Sequence, residues 1–234
     1  MNRINYIRHE EKKYHDLCYE QYKLFETGSW LYKPVKTVMD LIMDYFEGQN
    51  NLQVLDLGSG VGRNSIPIAQ KIKNCSGTVT CVDLLHSALT KLQVYSKVHG
   101  VFEVIKTEQI VIENYYIPPN TYDYIVAVSS LEHVKSEEDF KNVLQSTKKG
   151  IKNDGINCLI INSNIREIDK KTNQTLDALI EINLPTEEMI HLLKSIYTGW
   201  KEIKLEIKEL AYDIVRNERK IQLKTNTITF VVQQ

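Results

Sequence analysis

Net charge is nearly absent from this chain. Its 234 residues carry 29 Lys and Arg against 30 Asp and Glu, a formal balance of −1. Such a balance leaves no basic footprint for nucleic acid and no cationic surface for anionic lipid. Long apolar runs are missing as well. No stretch approaches the roughly 20 residues that cross a bilayer. The opening MNRINYIRHEEKKYHD is charged where a secretory leader needs an apolar core. Neither a membrane nor a nucleic acid is expected as a partner. Cysteine is scarce: Cys18, Cys75, Cys81 and Cys158 form no C-x-x-C pair, and no His lies at metal spacing from them. A disulfide scaffold is thereby excluded, and no metal is expected. Cys81 and Cys158 fall in apolar runs, where a thiol acts as a small hydrophobe, and reduced thiols fit a cytoplasmic address. Internal repeats and low-complexity tracts are also lacking. So is the G-x-G-x-x-G fingerprint of dinucleotide enzymes, which counts against a nicotinamide-dependent oxidoreductase.

What is present is an ordinary globular composition, 42% hydrophobic and 25% charged, in a length that suits one domain. Its centre of gravity is LQVLDLGSGVGRNSIPI, Leu52 to Ile68. Leu52, Val54, Leu55 and Leu57 read as a buried strand with Asp56 near its end. Gly58, Gly60 and Gly62 follow at alternate positions, and a helix begins near Asn64. A strand turning through glycines into a helix makes a ligand-binding corner. Glycine permits positive φ and close backbone approach, and the helix start adds partial positive charge.

Upstream, residues 8–26 read as a polar helix carrying Tyr14, Tyr19, Tyr22 and Phe25, either packed on the core by one edge or closing over the corner as a lid. Val35, Val38, Met39, Ile42, Met43 and Phe46 give a second helix over Lys33–Phe46 its apolar stripe. Downstream, Thr78–Val82 forms a strand ending in Asp83, 25 positions after Gly58. An acid there either accepts from ribose hydroxyls or caps the next helix, 84–98. Phe102–Thr107 is a third strand leading to Glu108 and Gln109. Tyr122–Val128 is a fourth, ending in Ser129-Ser130-Leu131-Glu132-His133-Val134. Ser136 and three acids open a helix over 136–148. Ile156–Asn162 is a fifth strand. Residues 163–184, polar and without a clear period, are expected to be a loop or short helix over the strand ends, a place for substrate selection. A helix follows Pro185. Ile203, Leu205 and Ile207 alternate with Lys and Glu, and Thr227–Val232 closes the chain as a buried strand. The pattern predicts an α/β fold, a doubly wound, Rossmann-like, seven-stranded sheet, mostly parallel, with an antiparallel last strand.

The run D-x-G-x-G-x-G resembles motif I of class I S-adenosylmethionine-dependent methyltransferases. Leu131–Val134 resembles the "LEHV" segment after the fourth strand common in that family, and Gly62-Arg63-Asn64-Ser65 and Tyr197-Thr198-Gly199-Trp200 are similar to its tellurite-resistance-type group. The resemblance implies one methyltransferase domain over 1–234, with 1–47 a helical cap or lid and 163–184 a possible substrate-selecting insertion. It implies S-adenosyl-L-methionine as cofactor, S-adenosyl-L-homocysteine as product, and a small-molecule acceptor. In the family's roles Asp56, Gly58, Ser59, Gly60 and Gly62 hold the methionine end, Asp83 the ribose, and Leu84, Glu108 and Gln109 the adenine. Ser129 and Ser130 border the methyl group, and His133 is the candidate general base where an acceptor must lose a proton. A non-catalytic cofactor-binding sensor or partner domain would carry the same binding residues, and either a monomer or a homodimer fits.

Overall fold

A computed structural model describes residues 2–216 and 219–234. Within these residues eight strands form one sheet: β1 (Gln53–Leu57), β2 (Thr78–Asp83), β3 (Ile105–Gln109), β4 (Tyr122–Val128), β5 (Ile151–Asp169), β6 (Thr175–Leu176), β7 (Lys201–Arg216) and β8 (Arg219–Gln233). The order is β3-β2-β1-β4-β5-β8-β7, with β6 on the outer part of β5. β1 to β5 run parallel, and β8 lies antiparallel between β5 and β7. The connection from β1 goes to one side and that into β4 to the other. The crevice at their carboxyl ends is the switch point where α/β sheets bind ligands.

Among the described residues six helices accompany the sheet: α1 (Arg3–Gln21), α2 (Lys36–Phe46), α3 (Ser65–Ile72), α4 (His86–Val98), α5 (Glu137–Gly150) and α6 (Thr186–Ile196). Alternate residues of each strand feed two cores. Val54, Val79, Cys81, Tyr124 and Cys158 pack with α2, α3 and α4, and Leu55, Leu57, Val82, Ile125 and Leu159 pack with α5 and α6. That alternation is the period-two signature of strands covered by helices on both faces. Tyr124 is fully buried, and its hydroxyl donates to the Val38 carbonyl at 3.2 Å, tying β4 to α2.

The doubly wound, mostly parallel sheet with antiparallel closing strands is as the pattern predicts, with one short strand more than the seven expected. The segment 163–184 differs. It is neither loop nor helix at its start: β5 runs on through Asp169, turns, and returns through β6. Past the last pairing with β4, β5 continues against β8, with β6 on its other edge, and β8 against β7, so an antiparallel arm projects beyond the carboxyl edge of the parallel sheet. Beside the buried Ile165 and Ile221, several inward residues of this arm are polar but satisfied. The Ser163 hydroxyl donates to the Asn226 carbonyl, and Glu167 accepts from Arg216 and from the Leu179 N–H.

Candidate functional site at the carboxyl edge of the sheet

The glycine loop leaves β1 with Gly58, Gly60 and Gly62 all at positive φ, 77°, 53° and 93°. Their reasons for being glycine separate. A Cβ on Gly58 would lie 2.3 Å from the Ser130 Cβ, and one on Gly62 2.3 Å from Leu92 Cδ1. Those two positions are demanded by the protein's own packing. A Cβ on Gly60 would meet only the Tyr19 hydroxyl, at 3.1 Å. Gly60 therefore lies under α1, on the open side of the loop.

The loop's N–H groups are less available than its glycines suggest. Gly58 and Ser59 both donate to the Val82 carbonyl, and Gly62 donates to Ser59. Gly60 N–H donates to Asp83 Oδ2 at 2.8 Å, while Leu85 N–H donates to Oδ1 of the same carboxylate at 2.8 Å. Asp83 thus clasps the loop and steadies the entry to α4 at once. Burial pushes its carboxyl above the usual range, opposed by those two N–H groups. Asp56 is buried behind the loop, with its carboxylate accepting from the Ser65 hydroxyl. Burial pushes it up to about 6 despite that bond, and the charge on Asp83 adds to the rise. The Ser59 hydroxyl is buried with no hydrogen-bond partner among the described residues.

The other expected residues sort by position. Leu84 is exposed beside Asp83. Gln109 stands opposite Asp83 in the β2–β3 register, and its side-chain oxygen pairs with the His86 ring at 3.1 Å. Glu108, one residue back, is exposed and opposite Val82. Ser129 sits at φ 50°, an uncommon conformation for a residue with a side chain, at the end of β4. Ser130 is buried, and its hydroxyl is occupied by the Leu57 carbonyl at 2.7 Å. Glu132 is buried too, bonded to the backbone and side-chain amides of Asn162 through one oxygen, with the other unpartnered.

His133 occupies an ionic cluster rather than an open position. Its Nδ1 is 3.2 Å from Glu181 and its Nε2 is 4.0 Å from Glu11. Burial opposes charge on this ring, but Glu11, the hydrogen bond with Glu181 and Glu132 outweigh it and carry the group up to about 9. Burial likewise opposes the Glu11 charge, and His133 and His15 hold that carboxyl down at about 2. An imidazolium cannot accept a proton, so this environment does not fit the general-base expectation for His133 at neutral pH.

Sequence reasoning placed a helix here, over 8–26, but missed the charged side chains by which α1 builds this cluster. Arg8, Glu11, His15 and Tyr19 recur at helical spacing on α1. Arg8 pairs with Glu113 at 2.7 Å and Glu181 at 3.5 Å. Asp16 accepts from Ser87 of α4, and Arg3 donates to the carbonyls of Ala178 and Ile180. The Nδ1 of His15 is buried and has no partner among the described residues. Trp30 completes the cover, edge-on to His15 at 6.0 Å between centroids and beneath the Arg63 guanidinium. The available signal was a three-to-four-residue period of polar and aromatic side chains.

The comparisons with known proteins bear on this corner. Residues 54–155, from β1 into β5, match the family model described as a methyltransferase domain. The middle of this chain is similar to a methyltransferase domain. The fold is shared with TehB from Haemophilus influenzae, 17% identical over 86% of this chain with a TM-score of 0.62. It is shared with YcgJ from Bacillus subtilis, 12% identical over 86% of this chain and 99% of that one, TM-score 0.61. A SAM-dependent methyltransferase from Methanosarcina mazei is 16% identical over 83% of this chain and 96% of its own, TM-score 0.58. The chain spans only 62% of TehB. No curated protein matches the sequence. Among the described residues no helix is long and apolar enough to cross a membrane.

Proposed function

We propose that this protein transfers a methyl group from S-adenosylmethionine to a small-molecule acceptor. The observation that carries the reading is the clasp of Asp83 on Gly60 at the sheet's switch point, in a segment similar to a methyltransferase domain. The residues around it suit such a cofactor. Buried polar atoms at the corner, the Ser59 hydroxyl and His15 Nδ1, stand without partners, and an unpartnered buried polar group is costly unless something meets it.

When bound, the cofactor supplies a methyl group on a sulfonium, which an acceptor nucleophile takes by in-line displacement. The chain's work is to hold, align and exclude water. In this reading Asp56, Gly58, Ser59, Gly60 and Gly62 hold the amino-acid end, and Asp83 the ribose. Leu84, Glu108 and Gln109 border the adenine, and Ser129 borders the reacting methyl. Residues 1–47 act as the lid of a single 234-residue domain, closing through Tyr19 and Trp30, whose rings are good walls for a cation. His133 acts as a cationic anchor for that lid, not as a base. The acceptor is a small or soft nucleophile of the kind the tellurite-resistance-type resemblance suggests, and the residues after β5 select it. Four free thiols suit a cytoplasmic address.

Titration calorimetry with S-adenosylmethionine, S-adenosylhomocysteine and NAD tests the reading. Binding of the first two and not the third is expected. NAD binding without any response to S-adenosylmethionine would overturn it. Cofactor binding with no turnover across a broad acceptor panel, tellurite and small thiols included, would leave a sensor or partner domain in its place.

A further inference from the structure

Three buried polar atoms around His133 have no hydrogen-bond partner among the described residues: Glu132 Oε2, Glu181 Oε1 and His15 Nδ1. All three are acceptors. An ionised carboxylate can only accept. The Nε2 of His15 lies 3.4 Å from Glu11 Oε2, which keeps the ring proton on Nε2 and leaves Nδ1 its lone pair. The groups share one place. His133 is 3.2 Å from Glu181 and 4.0 Å from Glu11, the same carboxylate that serves His15. Glu181 Oε1 is in ionic contact with Arg8 Nε at 3.5 Å but is not hydrogen-bonded to it. Glu132 precedes His133 in the turn after β4. Charge is out of balance there too. Glu11, Glu113, Glu132 and Glu181 are four carboxylates, and Arg8, His133 and a protonated His15 are at most three cations. Arg3 and Arg216 are matched by Asp177 and Glu167. At least one negative charge is left over. Glu132 is only 1% exposed, and burial pushes its carboxyl above the usual range, against the His133 charge and the Asn162 amides.

Empty acceptors beside surplus negative charge call for a donor that carries positive charge. An ammonium has N–H groups for the acceptors and a charge for the carboxylates. A carboxylate or phosphate would meet the same atoms with like charge. The walls suit a cation as well. Tyr14, Tyr19 and Trp30 surround the His15 ring at 5.3, 5.6 and 6.0 Å between centroids, and aromatic rings attract cations. The position is that of an acceptor rather than of the cofactor's sugar or base. Glu132 and His133 directly follow Ser129 and Ser130 at the end of β4, whereas Asp83 and Gln109 end β2 and β3 on the far side of β1.

We propose that the acceptor is an amine, held as its ammonium by Glu132, Glu181 and His15 between α1 and the turn after β4, so that the transfer is N-methylation. The inference rests on the methyl-transfer reading and adds the acceptor class to it. The ammonium gives one proton to His15 Nδ1. The freed nitrogen lone pair bonds to the methyl carbon as the carbon–sulfur bond breaks, and that bond's electron pair stays on sulfur. A methylated ammonium and a neutral thioether result. Titration calorimetry on the full chain loaded with S-adenosylhomocysteine tests this, with phenethylamine and its anionic counterpart 3-phenylpropionate as probes. Phenethylamine should bind, and 3-phenylpropionate at least about tenfold more weakly. Glu132→Gln keeps the oxygen that accepts from Asn162 and turns the empty one into an N–H donor. It should weaken phenethylamine binding about tenfold. His15→Phe keeps a ring but removes the lone pair, predicts the same loss, and serves alone if Glu132→Gln does not fold. Phenethylamine that fails to bind the loaded chain, or binds no better than 3-phenylpropionate, would overturn the proposal. So would variants that leave its affinity unchanged, or that lose S-adenosylhomocysteine affinity by the same factor, which is the mark of a structural role. Failure of S-adenosylhomocysteine itself to bind would instead remove the methyl-transfer reading, and this inference with it.

Discussion

The three loop glycines should respond differently to a single added methyl group, and the difference separates packing from binding. Gly62→Ala places its Cβ 2.3 Å from Leu92 Cδ1 and 3.1 Å from two atoms of Ile66, with both side chains fully buried and unable to retreat. Gly58→Ala drives into Ser130, which is held by its bond to the Leu57 carbonyl. Each bears a left-handed backbone cost of about 1–2 kcal/mol and an overpacking cost of about 1–3 kcal/mol, together about 2–5 kcal/mol. Gly60→Ala, at φ 53° and facing only the tip of Tyr19, should lose only the backbone part, about 1–2 kcal/mol. Its methyl instead enters the space between loop and lid, so S-adenosylhomocysteine should bind about tenfold more weakly, a loss of about 1.4 kcal/mol. Urea unfolding followed by circular dichroism gives the stabilities, and titration calorimetry gives the affinity. Gly60→Ala as unstable as Gly62→Ala, or stable with unchanged affinity, would refute the assignment of Gly60 to the ligand side.

Three further outcomes are expected. Asp83→Ala should weaken S-adenosylhomocysteine binding by about 1–3 kcal/mol, since the partners of that carboxylate lose their acceptor; calorimetry showing unchanged affinity would remove Asp83 from the site. Asp56, raised from 3.8 to about 6 by burial, contributes stability that is complete below 3.8 and is lost as pH rises through about 6. Asp56→Asn should therefore melt above wild type near pH 8, an advantage that vanishes near pH 4, while its cofactor affinity falls. For the lid, His133 contributes stability fully below 6.5 and loses it as pH rises through about 9, whereas Glu11 contributes above 4.5 and loses it as pH falls through about 2. Amide exchange in α1 should be slowest between those limits and quicken on the alkaline side. His133→Gln should abolish the alkaline change yet lower turnover by less than about tenfold, against the 10²–10⁴ of a lost general base.

What could be read from the residues was what is local. The glycine loop, the acid ending β2, the amphipathic stripe of α2 and the Ser136 start of α5 each announce themselves within a few positions, and the structure follows them closely. Ser136 accepts from the Asp139 N–H as a helix cap should. α1 was displaced from 8–26 to Arg3–Gln21 because Asn2 caps it, accepting from the Asn5 N–H at 2.9 Å. Its buried residues are Ile7, Cys18 and Tyr19, with Arg8, Glu11 and His15 half-buried between them, so no regular hydrophobic period marked the inner face. The arm after Asn162 was hidden for the same reason. From Ser163 to Asp169 the burial alternates as in any half-covered strand, but Ser163, Glu167 and Asp169 fill inward places where apolar residues are sought.

These two failures of hydropathy meet at one place. α1 buries Ile7, Cys18 and Tyr19 and the strap after β6 buries Ala178, Ile180 and Ile182, but the two touch through the charges of Arg3, Arg8 and Glu181, beside His133. A buried surface made of charges is worse for folding than one made of leucine, because breaking either partner leaves an uncompensated ion. Such a surface persists where it has another use, and departures from local rules gather at functional sites. The polar lining therefore argues for the same crevice as the glycines do, from residues that share no motif with them. It also predicts that Glu181→Leu, which removes the ion and keeps the volume, leaves His133 short of a partner and opens α1 to exchange without harming the sheet beneath.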